Sequence, residues 1–213
     1  MTIERIDKAD LLRLARLHAS QEAALPDRFA AIGKQDLLST QKTALFCSPR
    51  ACPGDVILRV YDLARRLRDS DLTFIGGFHT PVERDFLHHL LAGCCKLIIC
   101  PARALEGMRL PAAWQKAIEA ERLLLLSPFT AGSQRRQSAR LAERRNELVV
   151  ALANQILLLH AAPASRTETL ILEAARSGKP LLTPELDDET LFRRLMAGRD
   201  TDEASPRRFI QSD

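Results

Sequence analysis

No apolar run in this sequence approaches the roughly 20 residues needed to cross a bilayer, so nothing in it reads as a membrane span. The start, Met1-Thr2-Ile3-Glu4-Arg5-Ile6-Asp7-Lys8, carries acids early and has no apolar core segment. That is not the layout of a signal peptide, and a cytoplasmic location is expected. Cysteine is sparse and odd in number: Cys47, Cys52, Cys94, Cys95 and Cys100. An odd set without an export signal argues against a disulfide framework. Cys94, Cys95 and Cys100, with His88 and His89 nearby, miss the C-x2-C spacing of zinc sites. Cys100 also ends the apolar run Leu97-Ile98-Ile99, where cysteine packs as a small core residue. No metal and no cofactor are therefore expected. No catalytic residue is expected either, because Cys47 lies inside an apolar run rather than beyond it and no Ser-His-Asp arrangement can be drawn. There is no internal repeat.

What is present is the composition of an ordinary soluble protein. The 213 residues are 46% hydrophobic and 27% charged, enough for one domain with a full core. The net charge of +4 is mild, but it is unevenly spread. Arg135, Arg136, Arg140, Arg144 and Arg145 crowd residues 133–145 against the single acid Glu143. Such a patch on a near-neutral protein points to one anionic site or to a solvated helix face, and both readings stay open.

The most informative stretch is Ala44-Leu45-Phe46-Cys47-Ser48-Pro49-Arg50, followed by Pro53-Gly54-Asp55 and an amphipathic helix. A strand that ends in a small-residue turn and feeds a helix is how open α/β proteins hold phosphate. The helix N-terminus offers free N–H groups and a positive dipole end, and Arg50 would add a fixed charge. From there the chain alternates. Strands are expected at 43–47, 71–75, 96–100, 122–127, 155–160 and 180–183, and helices at 55–68, 81–91, 111–119, 137–153 and 167–177. Continuous apolar strands separated by helices are strands buried on both faces. The expected fold is therefore α/β: a doubly wound, mainly parallel, Rossmann-like sheet of about six strands. It spans 43–184, behind a helical N-terminal extension at 1–42. Residues 185–213 read as a polar tail with one short helix, partly flexible.

Ligands of such sheets sit at the carboxyl ends of the strands. There the sequence places Ser48 and Arg50, then Gly76, Gly77, His79 and Thr80 ahead of Glu83, then Arg103, then Ser127-Pro128-Phe129, then Ser165, Arg166 and Thr167. Small residues, hydroxyls and arginine suit a phosphate-rich ligand. On the helix of 137–153, Leu141, Leu148, Val149 and Leu152 share one face, and Arg145 projects into its middle with Arg144 at its edge. An arginine on a buried stripe requires an anionic or hydrogen-bonding partner, either a ligand or a structural contact. His79 and Glu83, four apart, could cooperate in proton transfer or simply cap a helix start. Base-stacking rings are few at these ends, with only Phe78 and Phe129 in place.

This ordered set resembles the Rossmann-like domain of the DNA-processing protein A (DprA/Smf) family, within the wider superfamily that includes the Lonely Guy nucleotide hydrolases. Ser48-Pro49-Arg50 stands where the family has Gly-Ser-Arg. Gly76-Gly77-Phe78-His79-Thr80 matches its Ser-Gly strand end, Arg144-Arg145-Asn146-Glu147 its Arg-Arg-Asn-Arg helix start, and Ala164-Ser165-Arg166-Thr167 its Ser-Gly-Ser…Thr turn. The lead-in Pro26-Asp27-Arg28-Phe29-Ala30-Ala31-Ile32-Gly33 is also similar, so the likeness covers about 26–184. Three positions depart from it: Ser48 and Pro49 replace the Gly and Ser, which removes one phosphate-facing N–H, and Glu147 replaces the last Arg. The resemblance implies a stand-alone, minimal single-stranded DNA-binding protein, with Ser48, Arg50, Gly76, Gly77, His79, Thr80, Arg144, Arg145, Asn146, Ser165, Arg166 and Thr167 forming the phosphate pocket. It implies a recombinase as a partner and a homodimer by analogy, and binding rather than catalysis. Two alternatives of the same fold stay open: a mononucleotide or signalling-nucleotide sensor, and a Lonely Guy-type N-glycosidase. The latter is disfavoured because Pro163-Ala164-Ser165-Arg166-Thr167-Glu168 lacks that group's glycines.

Overall fold

The computed structural model describes residues 2–17, 25–49, 52–129, 138–184 and 188–197. Eight strands form one sheet: β1 (Glu4–Asp7), β2 (Arg28–Gly33), β3 (Lys42–Cys47), β4 (Thr73–Gly76), β5 (Lys96–Ile99), β6 (Leu123–Ser127), β7 (Gln155–His160) and β8 (Leu181–Leu182). The helices are α1 (Lys8–Ala15), α2 (Gly54–Leu67), α3 (Pro81–Leu91), α4 (Ala112–Glu119), α5 (Ala139–Leu152), α6 (Arg166–Arg176) and α7 (Asp188–Ala197), with a short 3-10 helix at Gln35–Ser39. The strand order is β1-β2-β6-β5-β4-β3-β7-β8. The strands from β6 through β8 run parallel, and β2 and β1 add antiparallel at one edge.

The sheet thus has eight strands rather than about six. Residues 1–42 are not the helical extension expected, because β1 and β2 lie within them. Arg28-Phe29-Ala30-Ala31-Ile32-Gly33 is buried through its middle and pairs with β6, so its small apolar residues serve a strand with helices on both sides. β1 has a single buried residue, Ile6, too little pattern for periodicity to find. Gly33 closes β2 at φ +107°, where a Cβ would overlap the Leu123 carbonyl oxygen, so only glycine lets the chain turn that close to β6. Of the tail, α7 is described, while the segment expected to fray falls outside the described residues. Among the described residues no helix is long and apolar enough to cross a membrane.

Alternation along the central strands builds two cores. Leu45, Cys47, Leu97, Ile99, Leu157 and Leu159 face α2, α3, α4 and α7. Ala44, Phe46, Ile98, Leu124, Ile156 and Leu158 face α1, α5, α6 and the 3-10 helix. Both faces are covered, which is why these strands read as unbroken apolar runs. From β3 the chain winds outward through β4 and β5 to β6, then returns to place β7 and β8 on the other side of β3. The direction therefore reverses between β3 and β7, and that reversal is where open α/β sheets leave a crevice at their carboxyl edge. The register slips between Phe46 and Cys47, so Cys47 pairs with His160 just as the two strands end.

Candidate functional site

Each expected loop arrives at this crevice by its own local chemistry. Thr80 starts α3 with a capping box: its hydroxyl accepts from the Glu83 N–H at 3.3 Å, and Pro81 occupies the first turn without losing a helical hydrogen bond. Ser165 starts α6, its hydroxyl accepting from the Glu168 N–H at 3.1 Å, while the Glu168 carboxylate accepts from the Ala164 N–H at 2.6 Å. Ser138 caps α5 through the Leu141 N–H, 3.3 Å away.

Ser48, at the end of β3, joins two of these loops. Its N–H donates to the His160 carbonyl at 2.8 Å. Its hydroxyl oxygen accepts from the Ala162 N–H at 3.0 Å and lies 3.1 Å from the Ser165 hydroxyl. Ser48 is buried, and its side chain stitches the β3 end to the β7–α6 loop.

Glu83 stitches the other side. One carboxylate oxygen accepts from the Cys47 N–H at 2.9 Å, and the other accepts from the N–H groups of His79 at 2.7 Å and Thr80 at 3.2 Å. A buried carboxylate with three backbone donors is well compensated. It fixes the β3 end to the β4–α3 loop. The sequence signal for it is the capping pattern Thr80-x-x-Glu83. The bond to Cys47 had none, because that partner lies 36 positions away.

Arg145 is 4% exposed and crosses from α5 over the sheet edge. Its Nη1 donates to the Cys100 carbonyl at 3.1 Å and its Nε to Asn146 Oδ1 at 2.7 Å. The guanidinium lies on Gly77, where any Cβ would overlap Nη1 and Cζ. Burial pushes the Arg145 pKa below its ordinary value, and the negative charge of Glu83 works against that shift. Nη2 carries no hydrogen bond among the described residues.

The remaining expected residues divide. His79 and Arg144 are exposed, Thr167 and Asn146 half-buried. Arg166 is exposed and ion-paired to Glu143 of α5. Gly76 ends β4 with no room to spare, a Cβ there meeting the Phe78 ring and the Leu45 carbonyl at 3.3–3.4 Å. Arg50 lies outside the described residues, as do Arg135 and Arg136. Phe78 and Phe129 are 5% and 2% exposed, so both rings belong to the interior. Cys47 is buried, and burial pushes its thiol well above the ordinary range, the opposite of what a nucleophile needs. Among the described residues no group of three or more His, Cys, Asp or Glu could hold a metal ion.

No protein-family model matches this chain, and no curated protein matches it. Solved structures do. DNA processing protein A from Streptococcus pneumoniae superposes with a TM-score of 0.66 at 18% identity, covering 92% of this chain and 68% of that one. DNA processing protein A from Helicobacter pylori, described by its single-stranded DNA binding mode, superposes with a TM-score of 0.64 at 20% identity, covering 86% of this chain and 80% of its own. The chain has the Rossmann-like fold of these DNA processing proteins.

Proposed function

We propose that this chain is a DprA-like DNA-binding protein that holds single-stranded DNA by its phosphates at the crevice between the carboxyl ends of β3, β4 and β7. Arg145 carries the reading. A nearly buried guanidinium laid on the glycine that follows β4, with one nitrogen carrying no hydrogen bond among the described residues, suits an oxyanion resting on the same edge. Exposed Arg140 and Arg144 stand on the first turns of α5 beside it and extend the positive surface. The starts of α3 and α6 already spend hydroxyl or carboxylate groups of their own on backbone N–H groups. Arginine charge therefore holds the anion more than free N–H groups do.

The test is a fluorescence-anisotropy titration with a single strand, a duplex of the same sequence and a mononucleotide, at two salt concentrations. The single strand should bind best. Its affinity should fall by about tenfold or more as salt rises several-fold, because each neutralised phosphate releases counterions. Arg144→Ala and Arg145→Lys should weaken it, with folding checked by thermal melting. Thermal stabilisation by the mononucleotide without oligonucleotide binding would replace this reading with a nucleotide sensor.

A further inference from the structure

Among the described residues the exposed large apolar side chains are Leu58, at 70%, and Tyr61, at 38%, and both belong to α2. At about 100° per residue, Leu58, Tyr61, Arg65 and Arg68 fall within one arc of about 80° on that helix. Tyr61 turns the arc toward α3, where its ring meets His89 edge-on, 5.0 Å between centroids. His88, exposed, stands 5.9 Å from His89. Three rings thus form a chain across the two helices. Half-buried Ile57 and Val82 floor the seam beneath them.

The charge around these rings is mainly positive. Burial lowers the His89 pKa, His88, Arg65 and Arg68 lower it further, and Asp85 alone of the neighbouring charges raises it. His89 is therefore an uncharged ring at neutral pH. Arg65 is exposed, while Arg68 shares its charge with Asp69. Uncharged rings beside arginine are what base stacking with phosphate contact requires. The face also continues from the crevice. α2 leaves the carboxyl end of β3, and α3 leaves that of β4. Tyr61 stands seven residues beyond the start of α2, about 10 Å along the helix. That is about three nucleotides of a stacked strand.

From this we infer that the outer face of α2 and α3 is a second contact for the single strand, with a base stacked on the Tyr61–His89 pair and Arg65 on a neighbouring phosphate. Leu58, one turn nearer the crevice on the same arc, flanks that base. The inference rests on the DNA-binding reading above and extends the bound strand beyond the crevice.

The test uses the full chain and a single strand of about 16 nucleotides, long enough to leave a compact site. By fluorescence anisotropy, Tyr61→Ala should bind about fivefold more weakly or worse, the smallest loss expected for one stacked base. Tyr61→Phe keeps the ring and should bind as the natural protein does. Arg65→Ala should weaken binding and reduce the salt slope by about one. Irradiation of an iodouracil-substituted strand should join it to the peptide carrying Tyr61, the single tyrosine of the chain, or to that carrying His88 and His89. Thermal melting checks folding, and Arg65→Ala with the crosslink decides the outcome should Tyr61→Ala not fold. Unchanged affinity in Tyr61→Ala and Arg65→Ala, or crosslinks confined to the crevice loops, would overturn the inference while leaving crevice binding intact. Leu58 and Tyr61 would then mark a protein-docking face instead. A natural protein that binds no single strand would sink the DNA-binding reading, and this inference with it.

Discussion

The guanidinium of Arg145 lies so close to the backbone of Gly77 that no side chain of any kind fits between them. Two residues 68 positions apart are thereby made into one surface, the arginine plane on the glycine turn, at the carboxyl ends of β4 and β5.

Gly77→Ala should therefore behave as an arginine mutation. The new methyl group displaces the guanidinium and removes its bond to the Cys100 carbonyl. Loss of that charge-assisted hydrogen bond, with the charge left buried, should cost about 2–4 kcal/mol of stability by urea denaturation. Affinity for a single strand should fall as far as it does in Arg145→Lys. A Gly77→Ala protein of unchanged stability and affinity would show that the two residues do not depend on each other.

Glu83 supports the site without facing a ligand. Glu83→Gln keeps the size but puts an amide N–H₂ against backbone donors, at Cys47 or at His79 and Thr80. A cost of about 2–3 kcal/mol is expected from two-state unfolding curves, since hydrogen bonds to a charged group are the stronger kind. Thr80→Ala, which removes only the cap, should cost about 1 kcal/mol.

The opposite edge predicts a pH dependence. Lys42 is 2% exposed at the start of β3, and its ammonium donates to the carbonyls of Leu38 at 2.8 Å and Thr40 at 2.7 Å, with no carboxylate partner among the described residues. Burial, followed by the charges of Lys179 and Arg16, pulls its pKa down from 10.5 to about 8. A lowered pKa means that between these two values the unfolded chain binds more protons than the folded one, so stability rises with pH. The gain should be complete above the unfolded value and lost as pH falls through about 8. Urea midpoints measured across that window should increase in the natural protein and stay flatter in Lys42→Met. A midpoint that falls over the same window, beyond the fall of Lys42→Met, would contradict the assignment.

Arg166 separates charge from fold. Its pair with Glu143 joins α6 to α5 in the open, with the two side chains 74% and 43% exposed. Arg166→Ala should leave stability within about 0.5 kcal/mol, as exposed ion pairs contribute little. If Arg166 also touches phosphate, the same change should weaken single-strand binding and reduce the salt slope by about one contact.

Much of this protein was legible in the order of its residues, for identifiable reasons. β3 through β7 are covered on both faces, so each shows as a short apolar run, and the alternation with helices implies a parallel sheet. Arg145 was visible as a charge in the middle of an apolar helix face because that is a local, periodic pattern. The caps at Thr80 and Ser165 were likewise written within four residues.

Tertiary structure decided whatever depends on partners far along the chain. β1 and β2 are too short and too mixed to stand out, and they become strands because β6 offers an edge to pair with. Ser48 looked like a phosphate ligand, but its hydroxyl meets Ala162 and Ser165 across the strand reversal. Phe78 and Phe129 occupy loops, yet packing under the helices draws both rings into the core, since burying an aromatic ring outweighs one strained backbone angle. Local sequence specifies which elements form and which charges they carry. Only closure of the sheet settles which of those charges is buried on a glycine and which hydroxyl is spent on the backbone, because both depend on contacts between segments that chain order does not bring together.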